Sequence, residues 1–206
     1  MKKVLLINGS PHEKGNTYFA LNEVSKTLVE QGFQTEIVWI GTKPVRGCIA
    51  CGGCVRANDG HCAFNDDLCN EVIDKMNEAD GLVVGSPVYY GNPTGSLLNL
   101  IHRMLFAGAR VSGKPAAAVT VCRRGGATAA FQTLQMPFQM SNMPLVTSQY
   151  WNIAYGREPG EVRLDNEGMQ TMRTLALNMA WMIRQLKADG SQPPKYEPWQ
   201  GTHFIR

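Results

Sequence analysis

No apolar run in the 206-residue sequence is long enough to cross a bilayer, which takes about 20 consecutive predominantly apolar residues. The opening Met1-Lys2-Lys3 is followed only by the short apolar run Val4-Leu5-Leu6-Ile7 before Asn8-Gly9-Ser10. That is too short for the core of a secretory signal, so a cytoplasmic protein without a membrane partner is expected. Charge of one sign is also scarce. Lys and Arg number 20 against 17 Asp and Glu, a net charge of +3, which removes the basic surface expected of a nucleic-acid binder. With 44% hydrophobic and 18% charged residues, the composition is neither that of a disordered chain nor that of a fibre. No internal repeat and no linker composition interrupts it, so residues 1–206 are expected to form one domain. Two nucleotide signatures are missing as well. The run from Gly9 to Thr17 fits neither G-x-x-x-x-G-K-[ST] nor G-x-G-x-x-G, so an ATPase loop and a primary dinucleotide turn both lose ground.

What is present is alternation. A compact apolar run over residues 2–8 ends at Gly9, and Leu21, Val24 and Leu28 follow at helical spacing before Gly32. The β-branched and aromatic residues 35–40 predict a second strand, followed by a long loop over residues 41–66. Leu68, Val72, Met76 and Ala79 mark a helix, residues 81–85 a buried strand, and Leu97, Ile101, Met104 and Leu105 a further helix that Thr94 can cap. Residues 116–122 predict the fourth strand, 127–140 a helix and 145–151 the fifth strand. A final helix carries Met172, Leu175, Met179, Met182 and Leu186 on one face, with Asp165 and Glu167 in its first turn. Parallel strands need crossover helices, so five strands alternating with five helices predict a doubly wound α/β fold, a parallel sheet with helices on both faces. Ligands of such folds bind outside the carboxyl ends of the strands, which singles out the loops after strands one, three and four. Residues 189–206 hold Pro193, Pro194 and Pro198 and cannot continue the last helix. Their Tyr196, Trp199, Phe204 and Ile205 favour an extended tail packed on its own domain or on a second subunit, so a homodimer or homotetramer is expected.

The first of the three loops, Ser10-Pro11-His12-Glu13-Lys14-Gly15-Asn16-Thr17, feeds a helix N-terminus, whose free N–H groups and partial positive charge suit a phosphate. The second, Ser86-Pro87-Val88-Tyr89-Tyr90-Gly91-Asn92, is stiff and aromatic, a wall for a planar ring. The third, Arg123-Arg124-Gly125-Gly126, joins positive charge to a backbone that a ligand can approach closely. Taken together they point to a phosphorylated planar cofactor. Within the loop after the second strand, Cys48, Cys51, Cys54 and Cys62 are spaced C-x2-C-x2-C-x7-C. Clustered thiols in a chain without a disulfide framework suit a metal or a cluster. Successive three-residue steps favour a 4Fe-4S cluster, with tetrahedral zinc and free thiols as the alternatives. Cys69 and Cys122 read as buried small hydrophobes.

These motifs carry a resemblance. Ser10-Pro11 with Gly15-Asn16-Thr17, Gly85 to Gly91, and Arg123-Arg124-Gly125-Gly126 before Ala127-Thr128 together resemble the flavodoxin-like NAD(P)H-dependent FMN reductases. Gly47-Cys48-Ile49-Ala50-Cys51-Gly52-Gly53-Cys54, with Cys62 and then Asp66-Asp67, is similar to the iron-sulfur flavoprotein branch of that family. The resemblance implies strand order 2-1-3-4-5, FMN as prosthetic group and NAD(P)H as co-substrate. Carried onto this sequence, it implies that Ser10, Asn16 and Thr17 hold the FMN phosphate in a loop shared with Pro11, His12 and Gly15. Ser86, Pro87, Val88, Tyr89, Tyr90, Gly91 and Asn92 would line the isoalloxazine and ribityl chain, and Gly125 and Gly126 would sit against the ring. Arg123 and Arg124 would balance charge on reduced flavin or bind the NADPH phosphate. The flavin supplies the chemistry, so no catalytic acid-base pair is expected. The implied activity takes hydride from NAD(P)H and passes electrons to a free flavin, quinone, nitroaromatic or redox-protein acceptor, by way of a 4Fe-4S cluster. The alternatives are a non-catalytic electron carrier, which the +3 charge argues against because such carriers dock through acidic surfaces, and a cluster-free FMN or quinone reductase with a zinc or thiol loop.

Overall fold

The computed structural model describes residues 1–186, 194–198 and 201. Five parallel strands, β1 (Lys3–Asn8), β2 (Gln34–Trp39), β3 (Gly81–Pro87), β4 (Ala116–Cys122) and β5 (Ile153–Tyr155), stand in the order β2-β1-β3-β4-β5. The helices are α1 (Asn16–Glu30), α2 (Gly53–Ala57), α3 (Cys69–Glu78), α4 (Gly95–Ala107), α5 (Ala127–Met140) and α6 (Asn166–Gln185), with a 3-10 turn at Glu161–Leu164. This is the doubly wound, flavodoxin-like order that the resemblance implies.

Strand residues alternate between two cores. Leu5, Ile7, Leu82, Val84, Ala116 and Ala118 face one core with residues of α3, α4 and α5, whereas Val4, Leu6, Val83, Ala117, Val119 and Val121 face α1 and α6. A strand buried on both faces is apolar at every position, which is why β1, β3 and β4 read as continuous apolar runs.

Two elements differ from the sequence reading. The fifth strand is not residues 145–151 but Ile153–Tyr155. Pairing with β4 begins at an isolated bridge, Ala116 to Leu145, and then lapses. Across the gap the buried Asn152 side chain donates to the Ala118 carbonyl at 3.1 Å, and the Asn152 carbonyl accepts from Thr120 N–H at 3.0 Å. A side-chain amide thus does the work of strand backbone, and Tyr150 and Trp151 are left exposed. The second difference is α2, which makes six helices where five are expected among the described residues. It buries no residue and so leaves no periodic signal. Left-handed backbone at Gly52 and Asn58 bounds it. Thr94 does precede α4, but its hydroxyl donates to the Gly9 carbonyl at 2.7 Å rather than capping the helix.

Of the tail, Tyr196 is exposed and its hydroxyl accepts a hydrogen bond from Asn142 Nδ2 at 3.1 Å. Trp199, Phe204 and Ile205 lie outside the described residues, as does most of the stretch 189–206.

Candidate functional site

All parallel strands point their carboxyl ends to one rim, where the loops after β1, β3, β4 and β5 enclose a cleft of about 700 Å³, within the usual range for a small-molecule site. Its floor is the loop between β1 and α1. Asn8, fully buried, accepts from Ser10 N–H at 3.1 Å and donates to the Glu13 carbonyl at 3.0 Å, while Ser10 Oγ accepts from His12 N–H at 3.1 Å. The loop is therefore shaped by its own bonds before any ligand arrives. It delivers the chain into α1 with no side-chain cap and no acidic residue in the first turn, so the helix N-terminus opens on the cleft with its N–H groups and positive partial charge unmatched by an anion.

The expected residues divide. Ser10, Pro11, His12, Gly15, Asn16, Thr17, Pro87, Val88, Tyr89 and Arg123 line this cleft. Ser86, expected to line the cofactor, is instead fully buried beneath it, its hydroxyl donating to the Pro87 carbonyl at 2.8 Å and accepting from Thr94 N–H at 2.9 Å. The Asn16 amide, expected to hold a phosphate, spans to the loop after β5. It donates to the Glu158 carbonyl at 2.9 Å and accepts from Val162 N–H at 3.2 Å. Its backbone N–H and the second hydrogen of Nδ2 are left for a phosphate.

Tyr89 to Asn92 is a tight turn closed by reciprocal backbone bonds of 2.8 and 2.9 Å. Both central residues, Tyr90 at φ +52° and Gly91 at φ +77°, are left-handed, and a tyrosine there stores strain while its ring stands fully exposed. Gly126, itself at φ +86°, meets this turn so closely that a Cβ would sit 3.0 Å from Gly91 Cα. The loops after β3 and β4 are thus in backbone contact. Arg124, Gly125 and Gly126 line a second cleft, of about 420 Å³, with Tyr150, Trp151 and Tyr155.

Sequence reasoning missed several residues. Trp39, at the end of β2, lines the cleft and donates Nε1–H to the Ser10 carbonyl at 2.8 Å. Its place at a strand's carboxyl end was the available signal. Gly156, Arg157 and Pro159 supply the fourth wall, which a displaced β5 concealed. Glu161 braces that wall by accepting the N–H groups of Arg157 and Glu158 at 2.6 and 2.8 Å, and these backbone bonds hold its carboxyl below the ordinary range. Cys122 also lines the cleft, and burial pushes its thiol up.

The four clustered cysteines lie beside α4, all lining one apolar pocket with Phe64, Phe106 and Arg103. Ala50 N–H donates to Cys48 Sγ at 3.4 Å and Gly53 N–H to Cys51 Sγ at 3.5 Å. Cys48 and Cys51 are exposed, Cys54 and Cys62 half-buried. Among the described residues no three His, Cys, Asp or Glu side chains converge closely enough to hold a single metal ion. No described helix is long and apolar enough to cross a membrane.

An uncapped, anion-ready helix start in a preformed cleft fits a phosphorylated group, and four thiols around one apolar pocket, two of them already accepting backbone N–H, fit the donor set of an iron-sulfur cluster. Residues 2–158 match the family model described as NADPH-dependent FMN reductase. The chain is 33% identical over 194 residues to an iron-sulfur flavoprotein of Methanocaldococcus jannaschii, covering 90% of this chain and 99% of the relative. It is 31% identical over 192 residues to an iron-sulfur flavoprotein of Methanosarcina thermophila, covering 90% and 97%. Among solved structures it is similar to RosB with a bound 8-demethyl-8-formylriboflavin-5'-phosphate intermediate, with TM-score 0.71, 18% identity and coverage of 93% and 82%. An archaeal flavodoxin aligns with TM-score 0.61, 14% identity and coverage of 88% and 99%.

Proposed function

The chain belongs to the NADPH-dependent FMN reductase family, and from that premise we propose that it is an FMN oxidoreductase fed by NAD(P)H whose cysteine loop holds a 4Fe-4S cluster. The observation that carries the reading is the uncapped start of α1 at the floor of the rim cleft, walled by the loops after β1, β3, β4 and β5. When bound, FMN supplies two-electron acceptance at its ring and one-electron release.

The protein's part is to seat and isolate. First-turn N–H groups of α1 and the loop from Ser10 to Thr17 take the phosphate, with Lys14, Arg123 and Arg157 adding positive charge at the lip. Pro87, Val88 and Tyr89 form an apolar wall that keeps water from one side of the ring. The strained turn at Tyr90 and Gly91 and the Gly125-Gly126 loop present backbone N–H groups fixed in advance, suited to negative charge developing on the ring. Cys48, Cys51, Cys54 and Cys62 ligate the cluster. The acceptor is a small molecule or a redox protein, and a homo-oligomer built partly on exposed Tyr150 and Trp151 is testable by sedimentation of the full chain.

The visible spectrum of anaerobically purified protein, with iron and acid-labile sulfide analysis and NADPH oxidation in the presence of free FMN or a quinone, tests the whole reading. Flavin bands, iron with sulfide, and turnover are expected. Colourless protein that takes up no FMN removes the flavin assignment, zinc without sulfide removes the cluster, and absence of turnover with every acceptor leaves an electron carrier.

A further inference from the structure

Arg103 is a charged residue where α4 would otherwise present an apolar one. It has 1% of its surface exposed and is packed beneath the cysteine loop. Its guanidinium donates to that loop and to Asp67 just beyond it. Nε–H donates to Cys62 Sγ at 3.3 Å, Nη1 donates to the Asp67 carboxylate and to the Arg46 carbonyl at 3.3 Å, and Nη2 donates to the Phe64 carbonyl at 3.2 Å. One side chain therefore closes the loop's entry, at Arg46, onto its exit, at Phe64 and Asp67. Burying a cation is costly unless it is paired and fully hydrogen-bonded, and here Asp67, almost as buried, provides the pairing.

Asn70, from the first turn of α3, completes the arrangement. Its Oδ1 accepts from Cys62 N–H at 2.8 Å and its Nδ2 donates to the Cys62 carbonyl at 3.0 Å. The backbone and the sulfur of Cys62 are thus both anchored from rigid helices. The sulfurs of Cys48 and Cys51 accept only from amides within their own exposed loop.

We propose that Arg103 is a positioning and tuning residue for Cys62. Together with Asn70 it fixes this fourth sulfur in advance, and its N–H to S bond raises the reduction potential of the group that Cys62 ligates. The inference rests on the cluster assignment above. Reduction adds negative charge that spreads onto the ligand sulfurs, and a hydrogen bond donated to such a sulfur favours the reduced state.

The test compares anaerobic wild-type holoprotein with R103K and R103Q by EPR-monitored redox titration, with iron and sulfide per chain measured alongside and FMN content as the check on folding. The potential is expected to fall in both variants, further in R103Q, which loses the charge, than in R103K, which keeps it. An N70A variant should keep the wild-type potential while losing iron to a chelator faster. Should R103Q retain no FMN, R103K decides. Wild-type protein that carries a cluster whose potential is the same in R103K overturns the inference and leaves the cluster assignment standing. Wild-type protein that takes up no iron and sulfide on reconstitution overturns both.

Discussion

At the sheet rim the loops are tied to one another by neutral groups. Asn8 holds the loop after β1, Thr94 Oγ1 ties α4 back to the Gly9 carbonyl, and Asn16 reaches the loop after β5. The cysteine loop is tied to the body of the protein through a buried guanidinium and its carboxylate partner. Neutral ties are each worth about 1 kcal/mol, so the rim can lose one and keep its shape. A buried ion pair concentrates the load, because removing either member strands the other charge in the interior. The rim loops form a frame held by their own bonds, whereas the cysteine loop has its fourth sulfur fixed and its first two exposed.

The sharpest way to break this contrast is Asp67→Ala, which leaves Arg103 buried without its counter-charge and should cost about 3–5 kcal/mol in urea denaturation. A cost below about 1 kcal/mol would show that the loop is held by something else. At the rim, Gly156→Ala sets a Cβ 2.5 Å from the Val162 backbone nitrogen. Overpacking of this kind costs about 1–3 kcal/mol and should displace the wall formed by Arg157 and Pro159, weakening FMN binding in a fluorescence titration; unchanged affinity would detach that wall from the ligand. Asn16→Ala removes two ties and should cost about 1–2 kcal/mol with a smaller loss of FMN affinity. An N16A protein that folds normally but binds no FMN would reassign the amide to the ligand.

The smallest effect is a pH dependence on the cysteine side. Burial pushes the Cys69 thiol up to about 11, against the ordinary value of a thiol in the unfolded chain. The unfolded state therefore releases this proton first, so the thiol's contribution is full below about pH 9 and declines as pH rises through 11, by roughly 1 kcal/mol at pH 10. Cys69→Ala should flatten that part of the stability profile, and an unchanged slope would place the titration elsewhere.

The fold was legible wherever burial imposed a period. β4 and α5 stand at the expected residues 116–122 and 127–140, since an all-apolar strand and an amphipathic helix both write their environment into local sequence. The fifth strand was not, because Leu145 to Trp151 has strand composition but the ladder is carried across the gap by the Asn152 side chain. The cleft-lining loop before α1 could be found from small polar residues ahead of a helix. That Ser86 works below the cleft and Asn16 across it could not, because a hydroxyl or amide has the same signature whether it faces a ligand or a carbonyl.

By itself the sequence determined the alternation of strands and helices, the loops at the rim and the cysteine spacing, all of them set by residues near one another in the chain. Tertiary structure alone decided that Trp39 and Gly156 complete the cleft, that Gly126 rests on Gly91, and that Arg103 meets Cys62. Those contacts join residues far apart in sequence, and a lone arginine in a helix says nothing of its partners until the sheet order has fixed which loop lies over it.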